Sequence, residues 1–118
     1  METNRESIDL DILRRNTLND LDLLSELVDA FQSELPSVLS DISNGDLHHD
    51  SDVIAKAAHK IKGGLLILGA RCAQTAEQLE MQARNGWTDS VHDLCAELEY
   101  NAKRLVPTLQ TLVLKGEL

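Results

Sequence analysis

This sequence of 118 residues is poor in aromatic side chains, in bases and in cysteine. Its aromatic residues are Phe31, Trp87 and Tyr100, whereas leucine occurs 21 times, so we expect an aliphatic core and helices in preference to sheet. Cys72 and Cys95 are too few for a disulfide framework and lack the spacing of metal ligands, which favours a reducing compartment. The net charge of −9 argues against nucleic-acid binding and against an anionic membrane surface, because phosphate contacts depend on Lys and Arg.

Long apolar runs are also missing from the sequence. None approaches the ~18 residues needed to span a bilayer, and the N-terminus carries acids instead of the apolar segment of a signal peptide. We therefore expect a cytoplasmic protein, or a cytoplasmic part of a larger one, that makes no direct membrane contact. The length predicts one domain over residues 1–118, with residues 1–8 flexible, and we expect a monomer.

Apolar residues recur at steps of three and four, the pattern of amphipathic helices. The predicted helices cover residues 9–15, 20–43, 51–68, 72–85 and 89–112, with Asn19 or Asp20 capping the second and Thr88 or Asp89 capping the last. We expect Pro36 to kink or split its helix, Asn44-Gly45 to end it, and Pro107 to bend the last helix. Short polar loops imply antiparallel neighbours. The predicted fold is all-α, an antiparallel up-down-up-down four-helix bundle with a short N-terminal lid helix.

The helix that begins at Ser51 places a histidine on its outer face. At 100° per residue its apolar residues fall within about 80° of one direction, and His59 lies about 160° away. His59 is therefore predicted to face solvent. This position argues against a core histidine whose ring nitrogens are hydrogen-bonded inside the protein. On this helical wheel, the residues around His59 are Ala55, Lys56, Lys62, Gly63 and, two turns on, Leu66.

Two adjacent glycines follow this histidine and need an explanation, since each costs about 1 kcal/mol relative to Ala inside a helix. One explanation is that the helix ends at Lys62 with Gly63 as a left-handed cap. Against it, Leu65 and Leu68 stay in phase with the preceding core positions, and Gly69 offers a later end. In a continuing helix, Gly63 lets a partner surface approach His59.

Charge is distributed unevenly along the chain. Residues 53–71 contain four bases and no acid, whereas residues 1–52 contain 13 acids and 3 bases and residues 72–118 contain 7 acids and 4 bases. Lysines alone could form an ordinary solvated face, but here they surround an exposed histidine. A neutral imidazole is a competent nucleophile, and phosphoryl transfer depends mainly on positioning and charge stabilisation. Without a glycine-rich phosphate loop or an acidic metal cluster around His59, the donor and acceptor must be other proteins.

The residues around this histidine carry a resemblance to a known family. The run from Ala58 to Gly64, with Leu68-Gly69-Ala70 after it, resembles the signature of histidine-containing phosphotransfer (HPt) domains, which occur at the C-terminus of hybrid sensor histidine kinases or as free-standing relay proteins. The resemblance extends along the chain through Asp9-Leu10, Phe31, Pro36, Leu79-Glu80 and Gly86.

The resemblance implies a phosphorelay intermediate in two-component signalling. His59 would accept a phosphoryl group from the aspartyl phosphate of a hybrid kinase's receiver domain and pass it to the receiver domain of a response regulator. Lys62 would stabilise the phosphoryl group and Gly63 would leave space for it. Residues that would assist docking are Ala55, Lys56, Lys60 and Leu66. The chain would bind no cofactor and have no kinase activity of its own, and Mg²⁺ would come from the partner receiver domain.

Two departures from the family pattern limit what the resemblance implies. Gly64 is followed by Leu65 and Leu66 where the family has small Ser or Ala residues, and the interval from Ala70 to Leu79 is about one residue short. We therefore assign no polar helper for His59 from the third long helix, although this helix offers Gln74, Gln78 and Gln82.

Three alternatives remain open at this point. A phosphoacceptor domain of a chemotaxis-type kinase shares a similar motif but takes phosphate from an ATP-binding kinase domain, and a helical adaptor would keep the fold without carrying phosphate. A metal-binding module is suggested by His48-His49-Asp50 and His92. Adjacent loop residues rarely converge on one ion, so this run fits the cap of the second long helix better than a metal site.

Overall fold

A computed structural model describes residues 7–116 and 118 of the chain. It contains five helices over this part: α1 (Leu10–Thr17), α2 (Leu21–Leu47), α3 (Ser51–Ile67), α4 (Ala73–Ala83) and α5 (Asp89–Lys115). Extended structure is limited, over the same residues, to one antiparallel bridge between Ile8 and Ala70. The all-helical class predicted from composition is therefore confirmed. No helix in the described part combines the length and apolar character needed to cross a membrane.

The four longer helices enclose an aliphatic core. In the order α2, α3, α4, α5 each packs against the next, and α5 packs against α2, while the short α1 contacts α2 and α3. The fully buried leucines come from all of them and include Leu13, Leu24, Leu65, Leu79 and Leu98. Because α3 is packed between α2 and α4, it presents only its remaining face to solvent.

Side-chain caps begin four of the five helices. The capping carboxylates are Asp9, Asp20 and Asp50, which accept hydrogen bonds from backbone amides of the first turns of α1, α2 and α3. The Thr88 hydroxyl accepts from Val91 N at the start of α5. These caps satisfy amides that have no partner inside the helix. Of the two predicted candidates at each site, the structure selects Asp20 and Thr88.

The predicted end of α2 at Asn44-Gly45 is wrong. The helix continues to Leu47, and the turn into α3 is confined to residues 48–50. Gly45 is buried, and a Cβ at this position would lie 2.7 Å from Ile54 Cγ1 and 3.1 Å from Asp50 O. The glycine therefore permits close approach of the first turn of α3 and does not terminate the helix.

Pro36 does not split α2. The helix runs through this proline without interruption, and α5 runs through Pro107 in the same way. A proline inside a helix removes one hydrogen bond and costs about 3 kcal/mol. Leu35, Val38 and Leu39 around Pro36 are all buried against the core, and this packing offsets the loss.

The prediction that residues 1–8 are flexible is wrong for Ser7 and Ile8, and its residues 1–6 lie outside the described part. Ile8 is buried, and Ser7 O accepts a hydrogen bond of 2.8 Å from Arg71 N. Asp9 N donates to Gly69 O at 2.8 Å, where Gly69 adopts a left-handed φ of 69°. This backbone pairing fixes the start of α1 to the residues that follow α3.

Candidate functional site

His59 lies in the middle of α3 with 66% of its side chain exposed. Its neighbours Ala58 and Ile61 are buried, so the residue stands on the outer face of a core helix as its wheel position predicts. The imidazole is accessible to a macromolecular partner while its backbone is held by packing on two sides.

The two glycines after His59 have different surroundings. The helix continues through both to Ile67, which excludes the reading of Gly63 as a cap. A Cβ at Gly63 would meet nothing within 4 Å, whereas a Cβ at Gly64 would lie 3.4 Å from Phe31 Cδ1. Gly63 therefore leaves open space beside His59, and Gly64 lies against the aromatic ring of α2.

The buried carboxylate of Glu80 on α4 contacts His59. His59 Nδ1 lies 2.9 Å from Glu80 Oε2, and Lys62 Nζ donates to Glu80 Oε1 at 2.9 Å. Arg84, one turn along α4, donates from Nη2 to Glu80 Oε2. Only 7% of the Glu80 side chain is exposed. One carboxylate thus holds three nitrogen-bearing side chains in one group.

The pKa of Glu80 is lowered, chiefly by the hydrogen bond from Lys62 and secondarily by the contact with His59, which together outweigh the opposing effect of burial. Glu80 is therefore ionised at neutral pH and can only accept hydrogen bonds. A neutral His59 must then carry its proton on Nδ1 and present the Nε2 lone pair to solvent. The arrangement distinguishes the two ring nitrogens, because Nδ1 is engaged with Glu80 and Nε2 is not.

Sequence reasoning missed Glu80 and Arg84 as site residues. The helpers considered were Gln74, Gln78 and Gln82, yet none of these forms the contact with His59. A signal was available, because Glu80 falls four residues after Ala76 and three before Ala83, on the edge of the predicted inner face of its helix. An acid in that position requires a cationic partner, and residues 53–71, which contain four bases and no acid, form most of α3.

A surface cavity of about 470 Å³ lies beside the histidine, lined by Asp52, Ala55, Lys56, His59 and Arg84. The wheel places Ala55 on the solvent face, but only 7% of this residue is exposed. Its methyl group is short and lies in the cavity wall beside the longer side chains of Lys56 and Arg84. The expectation of an exposed Ala55 is therefore corrected.

The remaining predicted docking residues lie on different sides of His59. Lys60 is exposed and lines a small cleft on the α2 side together with Glu34 and Phe31. Leu66 is 55% exposed, and its neighbour Ile67, which sequence reasoning did not single out, is 45% exposed. The α3 surface thus changes from basic around His59, where Lys56, Lys60 and Lys62 lie, to apolar near its end.

The histidines outside α3 do not form a metal centre in the described part of the chain, where no group of three or more His, Cys, Asp or Glu side chains is placed to hold an ion. Asp50 caps α3, as predicted for this run. His48 Nδ1 lies 2.9 Å from Asn44 O and His92 Nδ1 lies 2.7 Å from Asp46 Oδ2. These side chains are engaged in contacts within the protein.

Comparison with known proteins gives a match to a protein family. A family model for the Hpt domain matches residues 26–116, which contain most of α2 and all of α3, α4 and α5. No curated protein and no solved structure matches the chain. The matched region includes every side chain of the group around Glu80.

Proposed function

Because this chain belongs to the Hpt domain family, whose members act in histidine phosphotransfer in two-component phosphorelays, we propose that His59 is its phosphoacceptor. The observation that carries the proposal is the contact of His59 Nδ1 with buried Glu80, which leaves Nε2 exposed. The donor would be the aspartyl phosphate of a receiver domain in a hybrid sensor kinase, and the acceptor would be the aspartate of a response regulator.

The reaction exchanges one bond to phosphorus for another. Nε2 of His59 attacks the phosphorus, an N–P bond forms, the acyl phosphate P–O bond breaks, and the aspartate of the donor leaves as a carboxylate. The proton on Nδ1 stays in place. The imidazole becomes more positive during attack, and the ionised Glu80 at 2.9 Å stabilises that charge. Transfer to the second receiver domain reverses these changes.

Three further residues are assigned roles in the same reaction. Lys62 shares the Glu80 carboxylate with His59, and from there its ammonium group would stabilise the transferred phosphoryl group. Arg84 lines the cavity beside His59 and has further N–H donors that can face phosphoryl oxygens. Gly63 leaves the approach to Nε2 clear.

The partner surface would extend from the cavity to the apolar end of α3. Lys56 and Arg84 give the cavity a positive rim that suits the acidic pocket of a receiver domain, which would supply Mg²⁺. Lys60 and Leu66 would contact the receiver domain on different sides of His59, and Ala55 would contact it from the cavity wall. The chain itself would bind no cofactor.

The helices that carry this surface would be arranged as an antiparallel up-down-up-down bundle with α1 as a lid. Two features support the arrangement. Each helix from α2 to α5 contacts its sequence neighbour, and the connections between them are only three to five residues long.

Incubation with phosphorylated receiver domains tests the function directly. We expect an acid-labile, alkali-stable phosphate on the wild-type chain and on His48→Gln, which removes a histidine of the α2–α3 turn, but none on His59→Gln. Equal labelling of His59→Gln would overturn the assignment. Labelling by an ATP-bound kinase domain, with none from any receiver domain, would instead indicate the phosphoacceptor domain of a chemotaxis-type kinase.

A further inference from the structure

Four side chains meet at the end of the molecule where α2 turns into α3 and α4 leads into α5. Asp46 accepts hydrogen bonds through both carboxylate oxygens, from Trp87 Nε1 at 2.9 Å and from His92 Nδ1 at 2.7 Å. His49 stacks on the Trp87 indole with ring centroids 3.6 Å apart and planes 7° apart. We refer to Asp46, His49, Trp87 and His92 as the turn-end cluster.

The turn-end cluster joins segments that are distant in sequence. Asp46 lies in the last turn of α2, His49 in the α2–α3 turn, Trp87 in the α4–α5 connection and His92 in the first turns of α5. His49 has a left-handed φ of 53°, which costs about 1 kcal/mol or more for a non-glycine residue, and its stacking on Trp87 stabilises that conformation. The cluster therefore closes two connections onto each other.

The two hydrogen bonds to Asp46 differ in their donors, because the imidazole of His92 can take up a proton and the indole of Trp87 cannot. The Asp46 side chain is 17% exposed and the His92 side chain is 58% exposed, so solvent protons reach the imidazole while the carboxylate is partly shielded. A neutral imidazole donates one ordinary hydrogen bond to Asp46, and a protonated one adds charge to it. The pKa of His92 is raised, first by the hydrogen bond to Asp46 and then by its negative charge.

Two neighbouring carboxylates act on His92 in the same direction as Asp46. On its own helix, Asp89 and Asp93 also raise its pKa. Of the charged side chains of α4 and its cap, Glu80 and Arg84 are paired with each other, and Glu77 is exposed. The Trp87 ring, on which His49 stacks, also lies beside His92. The Trp87 and His92 ring centroids are 6.4 Å apart and the ring planes are tilted by 51°.

We propose that the turn-end cluster is a proton-operated clamp, which holds the α2–α3 and α4–α5 connections together more firmly when His92 is charged. A histidine whose folded pKa is raised contributes stability that is fully present below its unfolded pKa of about 6.5 and is lost as the pH rises through its folded value. The clamp therefore loosens as the pH rises through the pKa of folded His92, which lies above the unfolded value. It acts on the connection that begins at Arg84, next to the His59 group.

The test compares the full chain with three variants. His92→Gln keeps a donor for Asp46 but cannot be protonated, Asp46→Asn removes the charge but keeps an acceptor for Trp87, and His48→Gln removes a neighbouring histidine outside the cluster. We measure the thermal unfolding midpoint from about pH 5.5 to about pH 8.5, the range in which histidine titrates.

We expect the midpoint to fall with rising pH in wild type and His48→Gln, and this fall to be reduced in His92→Gln and Asp46→Asn. A fall in His92→Gln as large as in wild type would overturn the proposal. An NMR titration of the His92 ring in the folded wild-type chain keeps the test decisive should a variant fail to fold. A measured pKa of His92 above about 6.5 supports the clamp, and a measured pKa at or below about 6.5 contradicts it.

Discussion

His59 Nδ1 and the Glu80 carboxylate lie 2.9 Å apart across the α3–α4 interface. Among the helix–helix interfaces of the described residues this one is the most extensively packed, so the position of Glu80 is set by core packing and not by loop geometry. A solvent-exposed imidazole is thereby oriented by a group that has almost no freedom of its own. Side-chain order of this kind reduces the entropy that must be lost when a reacting group is brought into line.

Replacing the charge of Glu80 tests its role in transfer. Glu80→Gln keeps the shape of the side chain but no longer requires the proton on Nδ1 or stabilises positive charge on the ring. We expect phosphotransfer to slow by about tenfold, which corresponds to about 1.4 kcal/mol in the transition state. Glu77→Gln is the matched control, because Glu77 lies exposed on the same helix. Equal rates for Glu80→Gln and wild type would exclude a positioning role.

The ionisation of Glu80 also predicts a pH dependence of stability. Its pKa is lowered in the folded protein, so its contribution is present above the unfolded value, near 4.5, and is lost as the pH falls through the folded value. The thermal midpoint of wild type should therefore drop in acid more steeply than that of Glu80→Gln. Parallel profiles in acid would show that Glu80 does not contribute in this way.

Gly63 is predicted to show opposite effects on stability and transfer. A side chain at Gly63 meets no atom within 4 Å, so Gly63→Gln should stabilise the helix by about 0.5 kcal/mol through propensity alone. The same side chain should obstruct the approach of a receiver domain and slow transfer several-fold. Denaturant unfolding and transfer kinetics on one preparation measure both effects. Unchanged transfer kinetics in a stabilised variant would show that Gly63 is not needed to leave space for the receiver domain.

Gly45 provides a contrasting case. Gly45→Ala introduces a Cβ that would lie 2.7 Å from Ile54 Cγ1, so the first turn of α3 must move away from α2. We expect a loss of about 1–3 kcal/mol in the free energy of unfolding, the range typical of overpacking. Gly63→Ala, on an open helix face, is the control and should gain stability. A gain in both variants would mean that helix propensity outweighs the close approach at Gly45.

Periodicity alone was sufficient for much of the fold. The repeat of apolar residues at steps of three and four located all five helices, and the capping residues Asp20 and Thr88 were among the candidates at the correct starts. The same periodicity placed His59 outside and kept Gly63 within the helix. These features depend on residues close in sequence, for which helical geometry fixes the relative directions.

The errors share a different origin. Glycine is typical of a helix end, yet Gly45 lies inside α2, where the absence of a side chain permits the close approach of Ile54 on the next helix. Pro36 breaks local hydrogen bonding, yet α2 continues because its neighbours are buried. Ile8 follows a polar N-terminus, yet it pairs with Ala70. In each case a contact with a distant segment outweighs a local preference.

The sequence by itself determined the helices, the exposed histidine and the positive segment around it, because each follows from the order of residues along one helix. Only the tertiary structure decided that Glu80 is the partner of His59, that Arg84 and Lys62 share that carboxylate, and that Asp46 joins Trp87 to His92. The rotation and offset of one helix against another bring these groups within 3 Å. That docking is set by the fit of the whole core, which no single stretch of sequence records.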